Sequence, residues 1–350
     1  MKKIILILFT AMLLTISNAF CQNRSILFLE KPWAEILQQA KNENKVIFLD
    51  AYAVWCGPCK WMAANIFTND TLADYFNKTF ICTKFDMEKG EGKYLAGKFA
   101  VNAYPTLLFI DTAGNMIHKK VGADREVKDY IHQAMLAQNP NECLTAYIRK
   151  YKAGAHSPGF MLTYFDRISD TYTPVDEPLK KYFVTQSDAD LLSRSNWLII
   201  YKYVNDIKSR EFQYLVNHHT QYEYLYSKDS VEHKISEAFR SALIGFVRSR
   251  NYSQEGYDKL RKEILDSSFL GAPKSVFSAE LTLCLFRGEM DKFLELAYNG
   301  VDQYYNNDAH SLYEIAIQVK QLSQDPKYTE KADSWIQRSA QLKESTEKKK

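Results

Sequence analysis

The chain has 350 residues, and because single hydrophobic cores stop growing at roughly 250–300 residues, two domains are expected. Apolar residues make up 46% and charged residues 25%, a globular balance that excludes fibrous and disordered classes. The formal charge is +3, and without Lys2 and Lys3 the 45 basic residues fall to 43 against 42 acidic ones; no nucleic-acid partner is expected from so even a balance.

The first residues read Lys2-Lys3, an apolar run from Ile4 to Ile16 broken by Thr10 and Thr15, then Ser17-Asn18-Ala19-Phe20-Cys21-Gln22. Charged, apolar and small-residue regions in that order form an export signal. Ala19 and Cys21 suit a cut before Gln22, and Ser17 and Ala19 suit one before Phe20. An apolar run of about 13 residues falls short of the roughly 20 that span a bilayer, which argues against an uncleaved anchor. Phe20 argues against lipid attachment at Cys21. The expectation is a signal peptide over residues 1–21 and a mature chain that is periplasmic or secreted. With no other stretch of 18 apolar residues, no membrane span remains after cleavage.

Residues 32–41 place Pro32 at a helix start, with Trp33, Ile36, Leu37 and Ala40 on one face. Val46–Asp50 is a continuous apolar run of the kind found in a central strand buried on both faces. It leads straight into Trp55-Cys56-Gly57-Pro58-Cys59. Helical stretches over 60–67 and 72–77 precede a strand at 80–85, and a helix follows over 92–99. Leu107–Asp111 and Met116–Val121 flank Ala113-Gly114-Asn115 as an antiparallel hairpin. A helix over 126–137 closes a unit expected to span residues 22–138, a mixed sheet with helices on both faces.

Past Asn139-Pro140-Asn141 helical periodicity takes over. Phe293/Leu296/Ala297/Gly300/Val301/Tyr304, Leu312/Ile315/Ala316/Val319/Leu322 and Ala332/Trp335/Ile336/Ser339/Ala340 follow the i, i+3, i+4, i+7 pattern. Residues 139–342 are expected to form a mostly α-helical domain. Helix pairs turning near Gly288 and Asp325 lie at about the period of tetratricopeptide-like repeats, without a matching consensus. Residues 343–350 read as a frayed polar tail. The tyrosines Tyr222, Tyr224 and Tyr226 read as helix-packing material.

Of six cysteines (Cys21, Cys56, Cys59, Cys82, Cys143 and Cys284), only Cys56 and Cys59 are close in sequence. This is no disulfide-stapled scaffold, and the scattered thiols read as buried small hydrophobes. Thiol–disulfide exchange needs an attacking thiolate and a second thiol to resolve the mixed disulfide. At a strand-to-helix turn the first sulfur meets helix N–H groups that lower its pKa, so Cys56 is the attacking residue, exposed to substrate, and Cys59 the resolving one. Gly57 is expected to permit a sharp turn, and Pro58 suits a first helical position. A Cys-x-x-Cys also serves as half of a zinc site, but no second Cys/His pair follows, and His156, His218 and His219 stand as surface histidines. Neither metal nor cofactor is expected.

Phe48-Leu-Asp-Ala-Tyr-Ala-Val-Trp-Cys-Gly-Pro-Cys-Lys60 resembles the active-site segment of thioredoxins, and the resemblance covers residues from about 30 to 138. It implies the thioredoxin fold and a redox-active Cys56–Cys59 disulfide. It also implies a buried acid at Asp50 that takes the proton of Cys59, and a lysine at Lys84 that pairs with that acid. Val101-Asn-Ala-Tyr-Pro-Thr106 resembles the loop whose proline is cis, which makes Pro105 that residue. Gly122 matches a third substrate-facing turn, and substrate binding falls to Trp55, Gly57, Pro58, Tyr104 and Pro105. Tyr104 departs from the family, which usually has Ile or Val before that proline. The insert around Ile66–Phe76 is longer than in minimal thioredoxins and is similar to exported domains that relay electrons from the membrane.

The expected function is therefore an exported thiol–disulfide oxidoreductase that reduces, or relays electrons to, protein disulfides and is recharged by a thiol donor. An oxidase or isomerase is the alternative within that chemistry. A binding protein led by the helical domain, with that domain as its protein-binding surface, is the alternative outside it.

Overall fold

A computed structural model describes residues 24–347. The expected signal peptide with Cys21 lies outside the described residues, as do residues 348–350 of the expected tail. The described residues form two compact units, the first ending at Tyr182 and the second beginning at Phe183.

The first unit opens with α1 (Trp33–Glu43), whose buried face carries Trp33, Ile36 and Ala40. Next come β1 (Ile47–Tyr52), α2 (Gly57–Asn65), α3 (Asp70–Thr79), β2 (Ile81–Asp86) and α4 (Gly90–Lys98). The hairpin β3 (Thr106–Ile110) and β4 (Met116–Val121) and the helix α5 (Val127–Gln138) complete the expected series. Strand order is β2-β1-β3-β4, with β1 parallel to β2 and antiparallel to β3, and β3 antiparallel to β4. Being hydrogen-bonded on both sides, β1 is central, which is why its sequence reads as one apolar run.

Side chains alternate across a strand, and the two faces of β1 feed two cores. Phe48 packs with Met62 of α2, Leu72 and Phe76 of α3, Phe109 of β3, and Tyr130 and Ala134 of α5. Ile47, Leu49 and Ala51 pack with Ile36 and Ala40 of α1 and Leu95 of α4. Asp50 is in phase with Phe48, so its carboxyl enters the face that α2 and α5 cover.

The sequence-based division ends the first unit at residue 138; in the structure it runs on to Tyr182. The reason is the outer edge of β4. The helices α6 (Leu144–Lys152) and α7 (Pro158–Ser169) follow α5, and their flanks bond to that strand. Thr145 Oγ1 donates to Ile117 O at 3.2 Å, and Val121 N–H donates to Asp170 O at 2.7 Å. Lys120 Nζ donates to Asp170 Oδ1 at 3.0 Å. A buried chain of side chains backs these bonds: His118 meets Gln133 Oε1 of α5 at 2.7 Å, and Gln133 Nε2 donates to Asp170 Oδ2 at 3.2 Å.

Helices alone continue from α8 (Asp176–Val184) through α9 (Asp188–Leu191), α10 (Arg194–Tyr203), α11 (Arg210–Asn217), α12 (His219–Leu225) and α13 (Lys228–Arg248). They end with α14 (Gln254–Leu265), α15 (Ala272–Arg287), α16 (Met290–Tyr305), α17 (Ala309–Leu322) and α18 (Pro326–Glu347). The core of α15–α18 contains Phe277 and Leu281 together with Phe293, Ala297, Val301, Leu312, Ala316 and Trp335, the last six of which were legible by their helical spacing. Two expectations need correcting. Residues 343–347 continue α18 instead of fraying, because nothing there breaks a helix and Ser345 and Thr346 bond back to Leu342 O. Tyr222 and Tyr226 anchor on the carbonyls of Leu191 and Leu192, whereas Tyr224 is exposed.

Candidate active site

At the carboxyl end of β1 the chain turns through Ala53-Val54-Trp55 into α2. Cys56 is the N-cap of that helix, extended at φ −69° and ψ 109°, and its Sγ accepts the Cys59 N–H at 3.1 Å. Pro58 lies in the first turn, where its missing N–H leaves no bond unmade. The two sulfurs are joined as a disulfide, with Cα atoms 5.3 Å apart. Helix N–H groups facing Cys56 favour its thiolate once the pair is reduced.

Two expectations change in detail. Gly57 does not adopt a left-handed conformation, and open space surrounds the position of a side chain there. Cys56 is only 2% exposed and Cys59 5%. Tyr52 and Tyr104 pack against the pair and Ala53, so aromatic rings cover what the sequence placed in the open.

The Asp50 carboxyl is buried, and its Oδ1 has no hydrogen-bond partner. Burial pushes its pKa up to about 7 against the opposing pull of the Lys84 charge. Lys84 stands beside Asp50 in the β1–β2 register, but its ammonium makes its ion pair with Glu30, at 3.5 Å. Its influence on Asp50 is therefore charge across a distance and not a direct salt bridge.

The Tyr104–Pro105 peptide is cis, and Pro105 is buried. Its carbonyl accepts the N–H of Gly122 at 2.9 Å, which sets the turn after β4 beside the proline loop. Gly122 has φ +92°, a conformation that favours glycine. Trp55, 65% exposed, meets Tyr104 edge-on with ring centroids 5.8 Å apart, and its indole N–H donates to Glu88 Oε2 at 2.9 Å. Segments far apart in sequence thus meet in series at the redox pair: Tyr104 packs against it, Trp55 meets Tyr104, and Gly122 bonds to Pro105.

Glu88 was not singled out from sequence, because an acid after a strand carries no signal of its partner. The other cysteines among the described residues, Cys82, Cys143 and Cys284, are free and buried, and burial pushes the Cys82 thiol up to about 12.

Residues 29–112 match the family model described as "Thioredoxin-like". Thioredoxin H4 of Arabidopsis thaliana is 44% identical over 94 residues, covering 27% of this chain and 74% of that protein. Thioredoxin H-type 2 of Nicotiana tabacum is 34% identical over 94 residues, with the same coverages of 27% and 74%. Among solved structures, one described as a putative disulphide-isomerase from Bacteroides thetaiotaomicron is 41% identical, with a TM-score of 0.31. It covers 33% of this chain and 95% of its own.

Proposed function

This chain belongs to the thioredoxin family and is a thiol–disulfide oxidoreductase, and from that premise we propose that it works outside the cytoplasm as a reductant of protein disulfides. The observation that supports this most is the Cys56–Cys59 pair at the start of α2, preceded in the chain by a buried carboxyl on β1 whose pKa is pushed up to about 7.

The Cys56 thiolate attacks one sulfur of a substrate disulfide. The new mixed disulfide releases the other substrate sulfur as a thiolate, which takes up a proton. Asp50, ionised, accepts the proton of Cys59, and the Cys59 thiolate attacks the Cys56 sulfur. That closes the Cys56–Cys59 disulfide and frees the second substrate thiol, so two electrons have passed from protein to substrate. A thiol donor restores the dithiol. Reducing direction follows from the Gly57-Pro58 dipeptide, similar to that of thioredoxins with potentials of about −270 mV. Export is supported by the signal-like pattern of residues 1–21, and the helices of the second unit would supply a surface for recruiting protein substrates, of the kind helical repeats build.

Equilibrating Cys56/Cys59 with glutathione and assaying insulin reduction by the mature chain tests the reading. A potential near that of thioredoxins, with rapid reduction, is the expected result. A potential as oxidising as about −120 mV would reverse the direction. Finding the unprocessed chain in the cytoplasm would refute export.

A further inference from the structure

Tyr172 lies far from the redox pair in sequence, just past α7, yet it stands at the edge of the active site. A β-carbon on Gly122 would lie 3.0 Å from the Tyr172 hydroxyl and 3.8 Å from its Cζ. Gly122 is bonded to the carbonyl of Pro105, whose neighbour Tyr104 packs against the cluster of Ala53, Cys56 and Cys59. The aromatic border of the site therefore runs from Trp55 over Tyr104 and past Gly122 to Tyr172.

Three features fix this residue there. Asp170, two positions earlier, accepts the Val121 N–H at 2.7 Å and bonds Lys120 at 3.0 Å and Gln133 at 3.2 Å. Tyr172 has φ +57°, a conformation rare outside glycine and asparagine, and its N–H donates to Ser169 O at 2.9 Å. Although so firmly held, the side chain is 66% exposed. A large ring carried on a fixed backbone and left uncovered suits contact with a partner, because little backbone freedom remains to be lost on binding.

We propose that Tyr172 is a specificity-determining residue for polypeptide substrates: its ring lies beyond Gly122 as the outer contact for the chain that flanks the attacked disulfide. The inference rests on the reductase reading above and deepens it. A small disulfide reaches Cys56 without extending to Gly122, whereas a protein segment passing over Tyr104 and Gly122 meets the Tyr172 ring.

The test compares the full mature chain with its Tyr172→Asn variant, since asparagine suits the left-handed backbone while removing the ring. Insulin and 2-hydroxyethyl disulfide serve as the two substrates, with dithiothreitol as donor. The expected result is a loss of roughly 5- to 10-fold in kcat/KM for insulin, the scale of an exposed tyrosine anchor, carried mainly by KM. The rate on 2-hydroxyethyl disulfide and the Cys56/Cys59 potential should stay unchanged, and Tyr172→Phe should keep most of the insulin rate. An unchanged insulin rate, or equal losses on both substrates by a variant with wild-type circular dichroism, overturns the inference and leaves the reductase reading standing. A wild-type chain that reduces neither substrate overturns both.

Discussion

Leu144 donates its backbone N–H to Nδ1 of His118 at 3.0 Å. That bond fixes the tautomer: Nδ1 is the acceptor, so Nε2 carries the proton and donates to Gln133. Protonating Nδ1 would break the link between β4 and α6. Burial, together with the charges of Arg167 and His132 and against those of Gln133's bond and Asp170, lowers the His118 pKa from 6.5 to about 4. The unfolded chain therefore binds this proton first, and stability is lost as pH falls from 6.5 towards 4. A shift of that size corresponds to about 3 kcal/mol. Urea midpoints between pH 7 and pH 4 should show His118→Gln losing less stability to acid than the wild type; parallel decline would show that His118 does not titrate in this way.

Asp50 has the opposite sign. Its pKa rises from 3.8 to about 7 on folding, so the unfolded chain ionises first and stability is lost as pH rises through that window. Asp50→Asn should gain about 4 kcal/mol relative to the wild type above pH 7 and nothing below pH 4. The same variant should reduce insulin more slowly, with its largest deficit above neutral pH, where the wild-type carboxylate is ready to accept the Cys59 proton. Matching pH–rate profiles for the two proteins would remove Asp50 from the mechanism.

Gly92 in α4 supports the end of β2 by close approach. A β-carbon there would lie 1.9 Å from the carbonyl oxygen of Asp86, and backbone cannot move aside as a flexible side chain can. Gly92→Ala should destabilise the chain by roughly 1–3 kcal/mol, an overpacking cost, and alter the Glu88 contact to Trp55 that follows in the same turn. Tryptophan fluorescence during thermal melting checks both effects; a midpoint equal to that of the wild type is the contrary result.

Brief alkylation of the reduced chain at neutral pH should label Cys56 first, since among the described cysteines only this one caps a helix N-terminus with its sulfur accepting a helix N–H. Cys82 should resist longest, its thiol buried and pushed up to about 12. Mass mapping that finds Cys143 or Cys284 ahead of Cys56 would reassign the nucleophile.

Much of the first unit was legible because its signals are local. The apolar run of β1, the Pro58 cap and the Gly114 turn each act within a few residues. The cis bond at Pro105 and the burial of Asp50 came through resemblance to a motif. What remained hidden depends on long-range pairing. His118 lies in the polar-looking stretch Met-Ile-His-Lys-Lys-Val, and nothing in it announces that a later helix will bury the imidazole. Tyr172 resembles any loop tyrosine until Asp170 is seen bonded to Val121. Lys84 was tied to Asp50 through resemblance alone, and sequence could not tell that Glu30 would take its ammonium.

The contacts along β4 also bear on how the protein behaves when crowded. A strand at a sheet margin offers unpaired N–H and C=O groups that another chain can copy. Here Val121 N–H is taken by Asp170 and Ile117 O by Thr145, while at the opposite margin Leu29 bridges Thr83 beside β2. Both flanks of the sheet are thus partly sealed by the chain's own later and earlier segments. Shortening the protein at residue 139 would strip one seal away, leaving a domain with its catalytic cysteines in place and a sticky border that invites polymerisation.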